Sequence, residues 1–138
     1  MDGTFQLELV SPEKLLLARQ VEMVTIPATE GEMGVLPGHA PMIVALRGGV
    51  ILVRENGADT ERLFAPGGFA EVSPGRCTVL ADEVTPTASL SRAEAERRLA
   101  EAETAMAAVT TEDGIDKREA ALARVLSMRA MRDAAEAA

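Results

Sequence analysis

The only histidine, His39, is the one side chain whose ordinary pKa suits proton transfer near neutral pH. It lies in the run Glu30-Gly31-Glu32-Met33-Gly34-Val35-Leu36-Pro37-Gly38-His39-Ala40-Pro41. General-base chemistry would need Glu30 or Glu32 to orient the imidazole, with a nucleophile close by. This run holds no serine or cysteine, and there is no second histidine. A zinc site needs more ligands than one histidine and one remote cysteine supply. The sequence has no G-x-x-x-x-G-K phosphate loop and only two lysines, Lys14 and Lys117. Cys77 stands alone, so it forms no internal disulfide. In the alternating run Arg76-Cys77-Thr78-Val79-Leu80 it reads as a small core residue of a strand, and nothing beside it suggests a lowered pKa. The residue types therefore argue against catalysis, a metal and a cofactor. They favour a glycine- and proline-braced docking loop carrying Glu30, Glu32 and His39. Gly31, Gly34 and Gly38 would allow positive φ there, and Pro37 and Pro41 would fix φ.

Such a loop needs a scaffold, and the composition supplies one. The chain has 138 residues, 47% of them apolar and 26% charged, enough for one domain or two small units with a real core. The net charge is −8. No basic cluster is longer than Arg97-Arg98, so nucleic acid and anionic lipid are poor partners. Apolar runs such as Leu15-Leu16-Leu17-Ala18 are too short to cross a bilayer, which takes about 20 residues. Met1-Asp2-Gly3-Thr4 has no positive or apolar region of the signal-peptide kind, so the expected place is the cytoplasm, or a membrane approached from that side.

Composition shifts near residue 88. Before it lie all the prolines and phenylalanines and every glycine but Gly114. This divides the chain into an expected β-sandwich over 1–87 and a helical unit over 88–138. Phe5 to Leu9 alternates in the manner of a half-buried strand. Further strands are predicted at Leu15 to Ala18, Val21 to Pro27, Met42 to Leu46, Gly49 to Arg54, Thr60 to Ala65 and Arg76 to Glu83. Glu55-Asn56-Gly57-Ala58 carries the Asn-Gly hairpin signal. Turns at this spacing suggest a sandwich or flattened barrel.

Two helices follow. Ser91-Arg92-Ala93-Glu94 reads as a capping box, and Asp116-Lys117-Arg118-Glu119 as a second. Ala95, Leu99, Ala102, Met106 and Val109 fall on one helical face, and Leu122, Val125 and Leu126 on another. With a loop over Val109 to Gly114 the pair forms an antiparallel hairpin. Its stripes are thin and alanine-rich, so the hairpin is expected to be weakly held and able to dock elsewhere.

The Glu30–Pro41 run also resembles the epsilon subunit of bacterial and chloroplast F-type ATP synthases, the counterpart of the mitochondrial delta subunit. The family pattern E-G-E-x-G, two apolar residues, P-G-H-x-P is matched throughout. Gly67-Gly68-Phe69-Ala70-Glu71-Val72 and Val79-Leu80-Ala81-Asp82 are similar too, as is the order of sandwich and hairpin. The resemblance implies a non-catalytic rotor subunit on the cytoplasmic face of the bacterial inner membrane, peripheral and not inserted. Its sandwich would pack on the gamma subunit and stand on the polar loops of the c-ring, coupling proton flow to ATP synthesis. Its helices could extend toward the alpha and beta subunits and block hydrolysis. By position Glu30, Glu32, Gly34, Pro37 and His39 match the segment facing gamma and the ring. One departure stands out. Relatives that bind ATP use Ile/Leu-Asp-x-x-Arg-Ala at the start of the first helix, and this chain has Leu90-Ser91-Arg92-Ala93-Glu94-Ala95. A carboxylate in the arginine's place repels phosphate. The rival reading is a free-standing β-sandwich that captures a small ligand under a helical lid.

Overall fold

The computed structural model describes residues 3–137, so Met1 and Asp2 of the chain start lie outside the described residues. Period-two burial drives the first part. In β1 (Phe5–Val10) Phe5, Leu7 and Leu9 point into the core while Gln6, Glu8 and Val10 alternate outward. The other strands are β2 (Leu15–Val21), β3 (Met23–Ala28), β4 (Gly31–Val35), β5 (Met42–Leu46), β6 (Gly49–Glu55), β7 (Ala58–Ala65), β8 (Gly68–Ser73), β9 (Arg76–Leu80) and the short β10 (Thr85–Pro86). They follow the order β10-β7-β6-β3-β5-β8-β9-β1-β2, with β4 paired to β3 off that path. This is the expected sandwich. Among the described residues all pairs are antiparallel except β1 with β9, which is parallel and brings the first strand against the last long one. The sheet folds over a core that includes Phe5, Leu7, Leu9, Ile26, Ile51, Val53 and Val79. Arg19 clamps β2 to the far end of the path, donating to Glu55 at 3.0 Å and reaching Glu61 at 2.9 Å.

Asn56 and Gly57 make the two-residue turn between Glu55 and Ala58, with φ of 52° and 78°, as the Asn-Gly signal required. Burial pushes the Cys77 thiol up to about 11, so it is a core residue rather than a nucleophile. The long loop expected over Glu30–Pro41 is corrected. Gly31–Val35 is strand β4, paired with β3 from Val24↔Val35 to Ala28↔Gly31. Glu32 and Gly34 face outward while Val35 enters the core and Met33 packs against it. Gly31 and Gly38 have positive φ, but Gly34 does not. At Gly34 a Cβ would instead approach the Met23 methyl, 2.6 Å away. The strand expected to reach Glu83 stops at Leu80.

Helices α1 (Arg92–Ala107) and α2 (Ile115–Ala137) form the hairpin, and an ion pair of 3.3 Å from Arg92 near one end to Glu136 near the other fixes them antiparallel. Ser91 caps α1, accepting from the Glu94 N–H at 3.1 Å. The other half of that box does not form. The Glu94 carboxylate turns to Arg97 and Arg98, where both partners of each bond are charged and Arg97 engages both carboxylate oxygens. The second box also moves. Asp113 reaches back to the Thr110 N–H at 2.8 Å, and Asp116 sits inside the first turn of α2. The α1 stripe is buried at Ala95, Leu99 and Ala102. On α2 the buried face is Val125, Met128, Met131 and Ala134, while Leu122 and Leu126 are exposed. The reason is a third surface. Phe64 of β7 lies between the core-facing Leu63 and Ala65, so it points the other way, into the hairpin. Val50 packs beside it.

Candidate docking surface

The β3–β4 hairpin turns at Thr29-Glu30, because Ala28 pairs with Gly31. Glu30 and Glu32 are therefore the exposed tip of a two-stranded finger. From Gly31 to Val35 the strand rises about 13 Å at about 3.3 Å per residue. Pro37, Gly38 and His39 lie beyond its other end in a tight turn, closed by the His39 N–H to the Leu36 carbonyl at 3.2 Å. The Gly38 N–H anchors that turn to the Pro74 carbonyl of the β8–β9 connection at 2.8 Å. Gly34 lies on β4 between the two ends. The five residues singled out in the sequence thus divide into an acidic tip (Glu30, Glu32), a mid-strand glycine and a braced turn (Pro37, His39). They do not form one cluster. The His39 Nδ1–H donates to the Ala40 carbonyl at 2.9 Å. Neither glutamate orients it, so the acid–base pair considered above has no geometry here. Among the described residues no group of three or more His, Cys, Asp or Glu side chains could hold a metal.

A larger feature is absent from the sequence reading. In register across five strands, Ala45 of β5 faces Phe69 of β8, which faces Leu80 of β9. Leu80 faces Val10 of β1, and Val10 faces Leu15 of β2. Ala45, Phe69, Leu80 and Val10 alternate with core residues, and Leu15 joins them across the β-bulge at Leu9–Val10, so this apolar row runs over the outside of the sheet. Phe69 is 57% exposed, Leu15 56% and Leu80 45%. The neighbouring row reads Ile43, Glu71, Thr78, Glu8 and Ala18, with Ile43 73% exposed. The surface is thus an apolar stripe beside a mixed row, in which Glu71 and Glu8 are the charged members and Glu8 pairs with Arg76 at 3.7 Å. At its edge the stripe runs into an open groove lined by Ser11, Pro12, Gly67 and Phe69, with Arg124 of α2 on the rim. Between the acidic finger and β5 lies a second groove, lined by Glu30, Glu32, Met42 and Ile43. Strand alternation could have flagged single members, since Phe69 and Leu80 are apolar residues on the solvent side of their strands. Such contiguity on an exposed face marks a protein contact.

At the start of α1, Arg97 donates to Glu94 at 3.0 Å and to Glu101 at 2.6 Å. Arg98 donates to Glu94 at 3.1 Å and to Glu83 at 3.0 Å. The hydrogen bonds from Arg97, then those from Arg98, hold the Glu94 carboxyl down at about 2. The arginines nearest the nucleotide-type position are already paired. Among the described residues no helix is long and apolar enough to cross a membrane.

Residues 4–87 match the family described as ATP synthase, delta/epsilon chain, beta-sandwich domain. The chain is 58% identical over 129 residues to the ATP synthase epsilon chain of Granulibacter bethesdensis, covering 94% of this chain and 95% of that one. It is 45% identical over 127 residues to the epsilon chain of Rhodospirillum rubrum, covering 92% and 93%. In shape it matches a chain in the Euglena gracilis mitochondrial ATP synthase OSCP/F1/c-ring structure, with a TM-score of 0.76 and 24% identity over 96% of this chain and 81% of that one. It also matches a chain in the Tetrahymena thermophila mitochondrial ATP synthase central stalk and c-ring, with a TM-score of 0.65 and 14% identity over 95% and 96%. Sandwich, hairpin and whole-length relatives agree: the chain belongs to the ATP synthase delta/epsilon family, as an epsilon chain.

Proposed function

We propose that the chain is the non-catalytic rotor component that joins the gamma subunit to the c-ring of an F-type ATP synthase. The apolar row Ala45–Phe69–Leu80–Val10–Leu15 carries this reading. It gives the outer sheet face an area suited to burial against gamma, with Glu71 beside it as a charged group at its margin. The acidic finger of Glu30 and Glu32 stands exposed beside β5 and suits the polar ring loops, with Gly34 leaving room for the Met23 side chain behind it. Pro37 and His39 stiffen the turn that faces gamma. The chain would then lie at the cytoplasmic face of the bacterial inner membrane as a peripheral part of the complex. The hairpin, when it leaves the sandwich, would reach toward the alpha and beta subunits and hinder hydrolysis. The rival reading, a small-ligand binder under a helical lid, finds little support, because α1 and α2 close on Phe64 rather than on a cavity.

The test is co-purification from the native cells with Phe69→Glu. The tagged wild-type chain should bring down gamma and the rest of the head, and the variant should lose them while its thermal melt stays within a few degrees. Retention of gamma by the variant would overturn the assignment of this face.

A further inference from the structure

Gly48 and Gly49 are adjacent but answer to different neighbours. A Cβ on Gly49 would meet the Pro27 Cβ at 2.7 Å, inside the sandwich. A Cβ on Gly48 would meet Ser127 of α2, with Oγ at 2.6 Å, Cα at 2.7 Å and Cβ at 2.8 Å. Gly48 is buried, yet its φ lies outside the left-handed region, so the β5–β6 turn itself accepts alanine. Only the helix forbids a side chain there. This close approach lets the Ser127 hydroxyl donate to the Pro66 carbonyl at 2.6 Å. It also seats Met128 and Met131 in the cluster around Phe64. A displacement that clears the Ser127 backbone strains both contacts, because a methyl group added to so close-packed an interior forces the backbone to shift.

We propose that Gly48 and Ser127 form a steric key that decides whether the helical hairpin lies on the sandwich. Glycine at position 48 is the docked setting, and any side chain there releases the hairpin while leaving the sandwich core complete. The device belongs to this chain alone, so it holds or fails independently of what the outer face binds.

The test uses the isolated full-length chain with spin labels on cysteines at Arg62 and Ala123, both exposed. The buried Cys77 does not compete for label. The unsubstituted chain should give one short distance. Gly48→Ala should add or replace it with a longer, broader one, and cleavage after Glu83 in the linker over 81–91 by a glutamate-specific protease should rise at least tenfold. Ser127→Ala, which removes the hydroxyl bond but keeps the packing, should stay mostly docked. Gly48→Ala with Ser127→Gly should stay released, because the helix backbone at position 127 still blocks the new methyl group. Unchanged distances and protease resistance in Gly48→Ala would overturn the proposal. So would loss of the β-sheet circular dichroism signal, which would assign Gly48 to the sandwich. Redocking by Ser127→Gly would overturn the backbone key as well.

Discussion

Arg98 holds Glu94 and at the same time reaches Glu83, so one guanidinium ties the first turn of α1 to the linker that leaves the sandwich. Glu94 has a second guanidinium on it from Arg97. The network is built of surface groups, so solvent screens each pair and their contribution to stability is small. Its larger effect is to fill the place where ATP-binding relatives carry an arginine.

Nucleotide binding should therefore be absent at physiological ATP levels. Loss of one charge-assisted contact removes about 1.5–3 kcal/mol, and about 1.4 kcal/mol is tenfold in affinity. Arg92, Arg97 and Arg98 could have compensated, but all three have carboxylate partners. Isothermal titration of the isolated subunit with Mg-ATP should show no saturable heat into the low-millimolar range. Saturable binding there would mean that the arginines exchange partners for phosphate.

The same carboxylate sets an acid limit on the hairpin. Its folded pKa, about 2, lies below the ordinary 4.5, so its contribution is present above about 4.5 and is lost as pH falls toward 2. Glu94→Gln should melt earlier than the unsubstituted chain at pH 6, and the gap should close by pH 2. Circular dichroism melts across that range check this, and a gap that does not depend on pH would refute it.

Residues 1–87 should fold alone and still bind gamma. Every buried residue of the main core lies before position 82, so the fragment keeps it whole. The fragment uncovers Phe64 and Val50, so its melting temperature should drop while the transition stays cooperative. A featureless melt would count against independent folding, and failure to capture gamma against docking through the sheet face.

Phe64→Ala in the full chain should cost about 3–5 kcal/mol, the usual range for a buried phenylalanine. Because the ring sits among Leu99, Val125, Met128 and Met131, hydrogen exchange in α1 and α2 should accelerate far more than in β1 or β9. Uniform acceleration would place the ring's contribution in the sandwich instead.

Glu32→Lys should leave the melt unchanged, since the side chain is exposed at the finger tip. In reconstituted vesicles it should lower proton pumping and ATP synthesis together. Normal coupling in that variant would remove Glu32 from the ring contact.

The division into sandwich and hairpin, the Asn56-Gly57 turn and the Ser91 cap are legible in the sequence because each rests on local chemistry. Strand β4 is not, because Gly31 and Gly34 carry turn chemistry and only pairing with β3 makes the segment a strand. The buried face of α2 is hidden for a related reason. Leu122 and Leu126 have the larger apolar weight, but Phe64, far earlier in the chain, selects Val125, Met128 and Met131. At the docking surface the individual residues are visible and the row is not, since register across five strands is a long-range property.

The parallel β1–β9 pair has a consequence for the order of assembly on the ribosome. The β1–β2 hairpin can close as soon as it emerges, yet one edge of β1 stays without a partner until residues 76–80 have been made. An open edge of that kind invites pairing with another chain. Contacts so distant in sequence also form slowly. The sandwich therefore completes late and in one step, and the two helices are the next segment to leave the tunnel. They meet a finished β7 with Phe64 still bare, so this apolar patch stays uncovered until the helices have emerged.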